Sequence, residues 1–248
     1  MSPTVAERAA VPNYGIDADR LLSSDSLVAA LRRRIDGRYA VDEFGGDPHL
    51  QDLLLNPLVG RIRVEVRHGE RLPRLGPALL VANRSLGFAE PLVLTAAVHR
   101  RTRRRLRIVG VPDVPLVSTL THKLGGIGSR AADVAAVLRA GHLTAAPLAP
   151  SWWGARAREV PRELLAATMG FPVFPVAIRA GGPIGLWMRP WVVSVGEPLS
   201  PPAGTSLGDP LVAAELSEAV QHSISALLAA DRGPSGPARR ARSGSGVS

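Results

Sequence analysis

The chain predicts a three-layer α/β domain preceded by a helical extension. Three observations carry this. Short apolar runs bounded by Gly, Pro or polar turns alternate with helix-period segments from Arg61 onward. Most of these runs feed a turn and then a helix. The length of 248 residues suits one α/β domain with a sizeable core.

Composition narrows the class further. Hydrophobic residues make up 46% of the chain, an ordinary globular share, so disorder is not the starting assumption. With no cysteine, disulfides, Cys-ligated zinc and thiol nucleophiles are all excluded. The six histidines have no metal-ligand spacing, so no metal site is expected. The net charge of +9 is carried almost wholly by arginine, Lys123 being the only lysine, and it draws the chain toward anionic surfaces. No stretch holds 18 consecutive apolar residues and the N-terminus has no signal-peptide pattern, so the expectation is a cytoplasmic protein touching the inner membrane face.

In chain order, residues 1–22 read as a flexible lead-in and 23–60 as a helical extension. Within the extension, Leu27, Leu31 and Ile35 recur at helical spacing, and a second short helix starts near His49. Residues 61–232 form the α/β domain. Strands are expected over Arg61–Val66, Pro77–Ala82, Leu106–Val111, His142–Leu148, Pro172–Arg179 and Trp187–Gly196. Helices are expected over Glu90–Arg101, Pro115–Lys123, Ala131–Ala140 and Glu159–Met169, with Gly125–Arg130 as a glycine-rich turn. Asp209 caps the last helix and Pro210 opens it; Leu211, Leu216, Val220, Ile224 and Leu227 lie mainly on one side. Residues 233–248 are Gly/Ser/Pro-rich and basic, the composition of a disordered tail.

The organising stretch is Gly76–Pro91, in which the apolar run Pro77–Ala82 breaks at Asn83-Arg84-Ser85-Leu86-Gly87 and resumes as a helix at Glu90-Pro91. Such strand–turn–helix junctions hold the ligands of open α/β sheets. Its polar residues are therefore the first site candidates.

Three stretches carry a family resemblance: ALLVANRS at 78–85, GGIGSR at 125–130, and FPVFPVAIR at 171–179 followed by VSVGEPL at 193–199. In their order from Arg61 to Leu199, the blocks resemble the glycerophosphate and lysophosphatidate acyltransferase family. The resemblance implies a three-layer α/β/α fold on a mixed, largely parallel sheet. It also implies transfer of a fatty acyl group from acyl-coenzyme A or acyl carrier protein, as co-substrate, to a glycerol-phosphate or lysophospholipid hydroxyl, with no permanently bound cofactor. The implied partners are phospholipid or lysophospholipid and acyl carrier protein, to which the basic charge of the chain adds an anionic membrane surface.

In that family a histidine is the general base and an aspartate five residues on orients it. Here Arg84 stands at the histidine position, and a guanidinium stays protonated and accepts no proton. Ala89 stands five residues later, with Glu90 next to it. The family's acceptor-binding block falls on Pro147-Leu148-Ala149-Pro150-Ser151, without its glutamate and arginine.

Each candidate has a functional and a structural reading. Glu90 is the candidate catalytic carboxylate, or simply a first-turn acid favoured by the helix dipole. Arg84 and Arg130, with Asn83 and Ser85, are substrate-binding candidates. Guanidinium forks suit phosphate, although both arginines are equally accounted for as surface residues. His122 or His142 is a relocated base or a structural histidine. Ser85 and Ser151 have no evident His/Asp partner. Trp152 and Trp153, on a loop, are candidates for membrane or acyl contact, whereas core packing accounts for Trp187 and Trp191 at least as well. The Arg100–Arg107 run is a contact for anionic lipid or a carrier protein. A nucleic-acid role lacks interleaved aromatics, and GGIGSR lacks the full dinucleotide-binding pattern. Two functions follow: a divergent acyltransferase, or an inactive relative kept as a lipid-binding or partner subunit.

Overall fold

The computed structural model describes residues 32, 41–83, 89–110, 117–149, 152, 162–168, 170–180, 190–201 and 209–231, with the backbone alone for 54–56, 58 and 117–119. Arg84, Ser85, Ser151, Trp153 and Trp187 lie outside these residues, as do the segments 1–22 and 233–248. Of the extension before Val41, only Arg32, which is helical, is described.

The chain divides after Ala40, and Val41–Ser248 is one compact unit. Its elements are α1 (Pro48–Arg61), β1 (Val64–Arg67), a 3-10 turn (Gly69–Arg71), β2 (Ala78–Ala82), α2 (Glu90–Thr102), β3 (Leu106–Val109) and α3 (Val117–Lys123). They continue with β4 (Gly126–Ile127), α4 (Ala131–Arg139), β5 (Leu143–Pro147), α5 (Arg162–Ala166), β6 (Val173–Arg179), β7 (Trp191–Val195) and α6 (Pro210–Ala230). The expected 23–60 extension thus divides: α1 belongs to the sheet-bearing unit, where Val59 and Ile62 enter the core.

The seven strands form one mixed, largely parallel sheet in the order β1-β7-β6-β2-β5-β3-β4. From β6 to β4 every neighbouring pair is parallel, and β7 runs antiparallel to β6. β2 is buried along its whole length, which is why it reads as an unbroken apolar run rather than an alternating one. Ala78, Leu80 and Ala82 face a core formed with Val93, Leu94 and Ala97 of α2. Leu79 and Val81 face the opposite core, built from Val134 and Leu138 of α4, Leu165 of α5 and Val220 and Ile224 of α6. Helices therefore cover both sheet faces, giving three α/β/α layers.

Helix boundaries follow local chemistry. Asp47 caps α1 by accepting from the Leu50 N–H at 2.8 Å, and Asp209 caps α6 by accepting from the Leu211 N–H at 2.9 Å. Leu211 itself is 73% exposed: it sits five residues, or some 140° of helix rotation, from Leu216 and misses the buried stripe. α1 runs to Arg61, so β1 starts at Val64 rather than Arg61. The glycine-rich turn over 125–130 contains a two-residue edge strand, because Gly126 and Ile127 pair with Ile108 and Val109. Among the described residues no helix is long and apolar enough to cross a membrane.

Candidate functional site

The junction singled out in the sequence lies at the carboxyl edge of the parallel strands, where β2 ends between β6 and β5. Asn83 extends the β2–β6 pairing by one residue. Its N–H reaches the Val176 carbonyl at 3.4 Å, its Nδ2 donates to the Ile178 carbonyl at 2.9 Å, and its Oδ1 accepts from the Ile178 N–H at 2.6 Å. Both ends of the amide thus hold the strand end in place. Asn83, named among the binding candidates, thus has both ends of its amide engaged by the β6 backbone. On the other side the Leu148 N–H donates to the Ala82 carbonyl at 2.6 Å.

Beyond the turn, Glu90 is the first residue of α2 and is 0% exposed. Pro91 follows it, and the Ala89 carbonyl accepts from the Val93 N–H at 3.0 Å, closing the first turn. A carboxylate here lies at the positive end of the helix dipole and over the end of the sheet. Glu90 is thus a titratable side chain that the fold buries at this edge.

Arg130 sits on the same edge at the head of α4, exposed, its carbonyl accepting from Asp133 and Val134 while its side chain makes no capping bond. It follows β4, three strands from β2, about 14 Å away at the usual interstrand spacing. The fold therefore brings Arg130 and Glu90 to one edge, with β4 and β2 three strands apart.

Trp152 departs from expectation. It is 0% exposed, belongs to the core on the α2 face, and donates from Nε1 to the Val109 carbonyl at 2.9 Å. It plugs the carboxyl end of β3 and is not a membrane contact. A tryptophan among Pro, Ser and Gly looks exposed in sequence, but the indole supplies both the apolar bulk and the one donor that this strand end takes up.

The histidines considered as relocated bases lie elsewhere. His122 Nδ1 is 2.9 Å from the Gly126 carbonyl, at the start of β4. His142 precedes β5 at the amino edge, packed edge-on against Phe44 with ring centroids 5.5 Å apart. Burial lowers the pKa of His142, and the nearby Arg107 lowers it further.

No family model matches the chain, and no solved structure matches it. Its sequence is 30% identical over 282 aligned residues to the uncharacterized protein Mb0514 of Mycobacterium bovis, covering 91% of this chain and 77% of that protein. The uncharacterized protein Rv0502 of Mycobacterium tuberculosis matches to the same extent. The uncharacterized protein ML2427 of Mycobacterium leprae is 32% identical over 260 residues, covering 82% of this chain and 71% of its own length. The chain belongs to the family of these mycobacterial proteins. Their names state no activity.

In this member of the mycobacterial family, most arginine side chains of the Arg100–Arg107 run are tied back to the protein, although Arg107 alone among them is buried. Arg100 Nη2 donates to the Ile62 carbonyl at 2.6 Å and the Gly60 carbonyl at 3.2 Å, closing the end of α1. Arg101 Nη2 donates to the Val66 carbonyl at 3.0 Å. Arg105 pairs with Asp52 at 2.8 Å, and the buried Arg107 pairs closely with Asp42 beneath Phe44. These four arginine side chains staple α1, β1 and the 41–47 loop to the sheet, a role that no local sequence signal reveals.

Proposed function

We propose that this protein transfers a fatty acyl group from a thioester, on coenzyme A or acyl carrier protein, to the hydroxyl of a glycerol-phosphate or lysophospholipid acceptor at the inner membrane face. The observation that carries the reading is Glu90: a carboxylate buried in the first turn of α2, directly beyond β2, at the ligand-binding edge of a parallel sheet. Glu90 takes the proton of the acceptor hydroxyl as its oxygen attacks the thioester carbonyl. The new C–O bond forms, the C–S bond breaks, and the proton passes to the departing thiolate. Arg130, exposed on the same edge, and Arg84, six residues before Glu90 in the chain, would meet the acceptor's phosphate.

The complete burial of Glu90 favours a second reading, in which the fold is retained as a lipid-binding or partner subunit. Among the described residues no histidine stands at this edge to replace the missing base. The test is acyl transfer from radiolabelled acyl-coenzyme A, and separately from acyl carrier protein, to a panel of lysophospholipids and glycerol phosphates. Wild type runs beside E90Q, R84A and R130A. Turnover in wild type that falls at least 100-fold in E90Q, with folding intact, supports the enzyme. No turnover with any donor overturns it and leaves the binding reading.

A further inference from the structure

At the opposite edge of the sheet, a cavity of about 340 Å3 opens between α1 and the C-terminal half of α2, beside the start of β3. Val59 and Leu106 supply its apolar surface, Gln51 and Thr95 polar surface, and His99 with Arg103, Arg104 and Arg105 most of the rest. Neither the acyltransferase resemblance nor the Glu90 edge involves this cavity.

Its charge is one-sided. Three arginines face one carboxylate, Asp52, which is already paired with Arg105 at 2.8 Å. Arg104 is held by carbonyls alone: Nη1 donates to Pro73 at 3.1 Å and Nη2 to Gly141 at 3.0 Å. Carbonyls fix a guanidinium without neutralising it, and burial lowers the pKa of Arg104. Arg103 is exposed and has no side-chain partner among the described residues. Its backbone sits in the left-handed region at φ 58°, closing α2 with an N–H to the His99 carbonyl. Glycine is the usual residue in that conformation, so an arginine there carries a steric cost. The C-terminal carbonyls of α2 contribute about half a negative charge at the mouth, which the two uncompensated arginines outweigh.

We propose that this cavity binds a small phosphate monoester, with the phosphate between Arg103 and Arg104 and the body of the ligand against Val59 and Leu106. The exposed Arg103 fork matches phosphate oxygens bidentately, and Arg104, with Nη1 and Nη2 each held by a carbonyl, adds its charge and its remaining N–H groups. The volume lies at the small end of ligand pockets, which suits a compact ester rather than a nucleotide. Thr95 Oγ1, which donates to the Pro91 carbonyl at 2.8 Å, keeps lone pairs to accept from a ligand hydroxyl.

The test is calorimetric titration of the full chain with phenyl phosphate and with inorganic phosphate, beside sedimentation with vesicles containing phosphatidic acid. Phenyl phosphate is expected to bind more tightly than inorganic phosphate. R103A should weaken it at least tenfold and R103E abolish it, while R63A, an exposed arginine outside the cavity lining, leaves it unchanged. Binding of the soluble ester identifies a metabolite as the source. Binding of vesicles alone, lost in R103E, identifies a lipid headgroup carrying the same monoester. Wild-type affinity in both Arg103 variants, loss of binding in R63A instead, or no binding of either probe at millimolar concentration overturns the proposal. Because the acyl-transfer test turns on E90Q and this one on R103E, either reading can fail without the other.

Discussion

Replacing Trp152 separates a core residue from a membrane contact. Trp152→Phe keeps an aromatic ring in the α2-face core but removes the donor to the Val109 carbonyl and leaves a small void. Stripping a buried carbonyl of its partner costs about 1–3 kcal/mol. With the void, about 2–3 kcal/mol is expected. Trp152→Ala removes the whole side chain, for which about 4–5 kcal/mol is expected, a large share of the ~5–15 kcal/mol that holds a domain together. Urea unfolding followed by far-UV circular dichroism reads both. At a slope of about 2–3 kcal/mol per molar, the Phe variant's midpoint should fall by roughly 1 M with the slope unchanged. Vesicle sedimentation of the folded Phe variant should match wild type. The reasoning is refuted if both variants unfold within about 0.5 kcal/mol of wild type while binding to anionic vesicles drops.

Other outcomes follow from the same contacts. Arg100→Ala should lower stability by about 1–2 kcal/mol in thermal unfolding, with Lys recovering less than half, because an ammonium cannot span the Gly60 and Ile62 carbonyls as a fork does. Asp42→Ala leaves the buried Arg107 without its carboxylate and should cost about 2–4 kcal/mol; adding Arg107→Met should recover much of that loss, measured as a double-mutant cycle. The pKa values of His99 and His142 are both lowered, chiefly by burial. Below 6.5 the unfolded chain therefore binds protons that the folded one refuses. Stability should hold above that pH and decline as pH falls toward the folded-state values, and His142→Gln should flatten the decline in a pH series of urea midpoints.

The sheet was legible where physics is local. The unbroken apolar runs of β2 and β6 reflect burial on both faces, and the Asp209-Pro210 pair marks the start of α6 without tertiary help. β4 was hidden, since two residues beginning with glycine carry no strand signal until β3 lies beside them. At the candidate site, the position of Glu90 follows from the strand–turn–helix pattern, but its complete burial does not. Asn83 read as a binding side chain because its partner, Ile178, is 95 residues away. The arginine run was the least legible part. The partners of Arg100, Arg101 and Arg104 are backbone carbonyls 31 to 41 residues distant, and a carbonyl has no sequence signature.

Carbonyl stapling also sets how this surface meets an anion. Flexible arginines on a helix behave as a brush and must be ordered on contact, at up to ~2 kcal/mol of rotamer entropy each. Arg100, Arg101 and Arg104 are already immobilised by Ile62, Val66, Pro73 and Gly141, yet none of them is discharged by these contacts. They form a stiff cationic plate whose ordering cost was met during folding, so an arriving anion encounters a fixed field rather than one it must assemble.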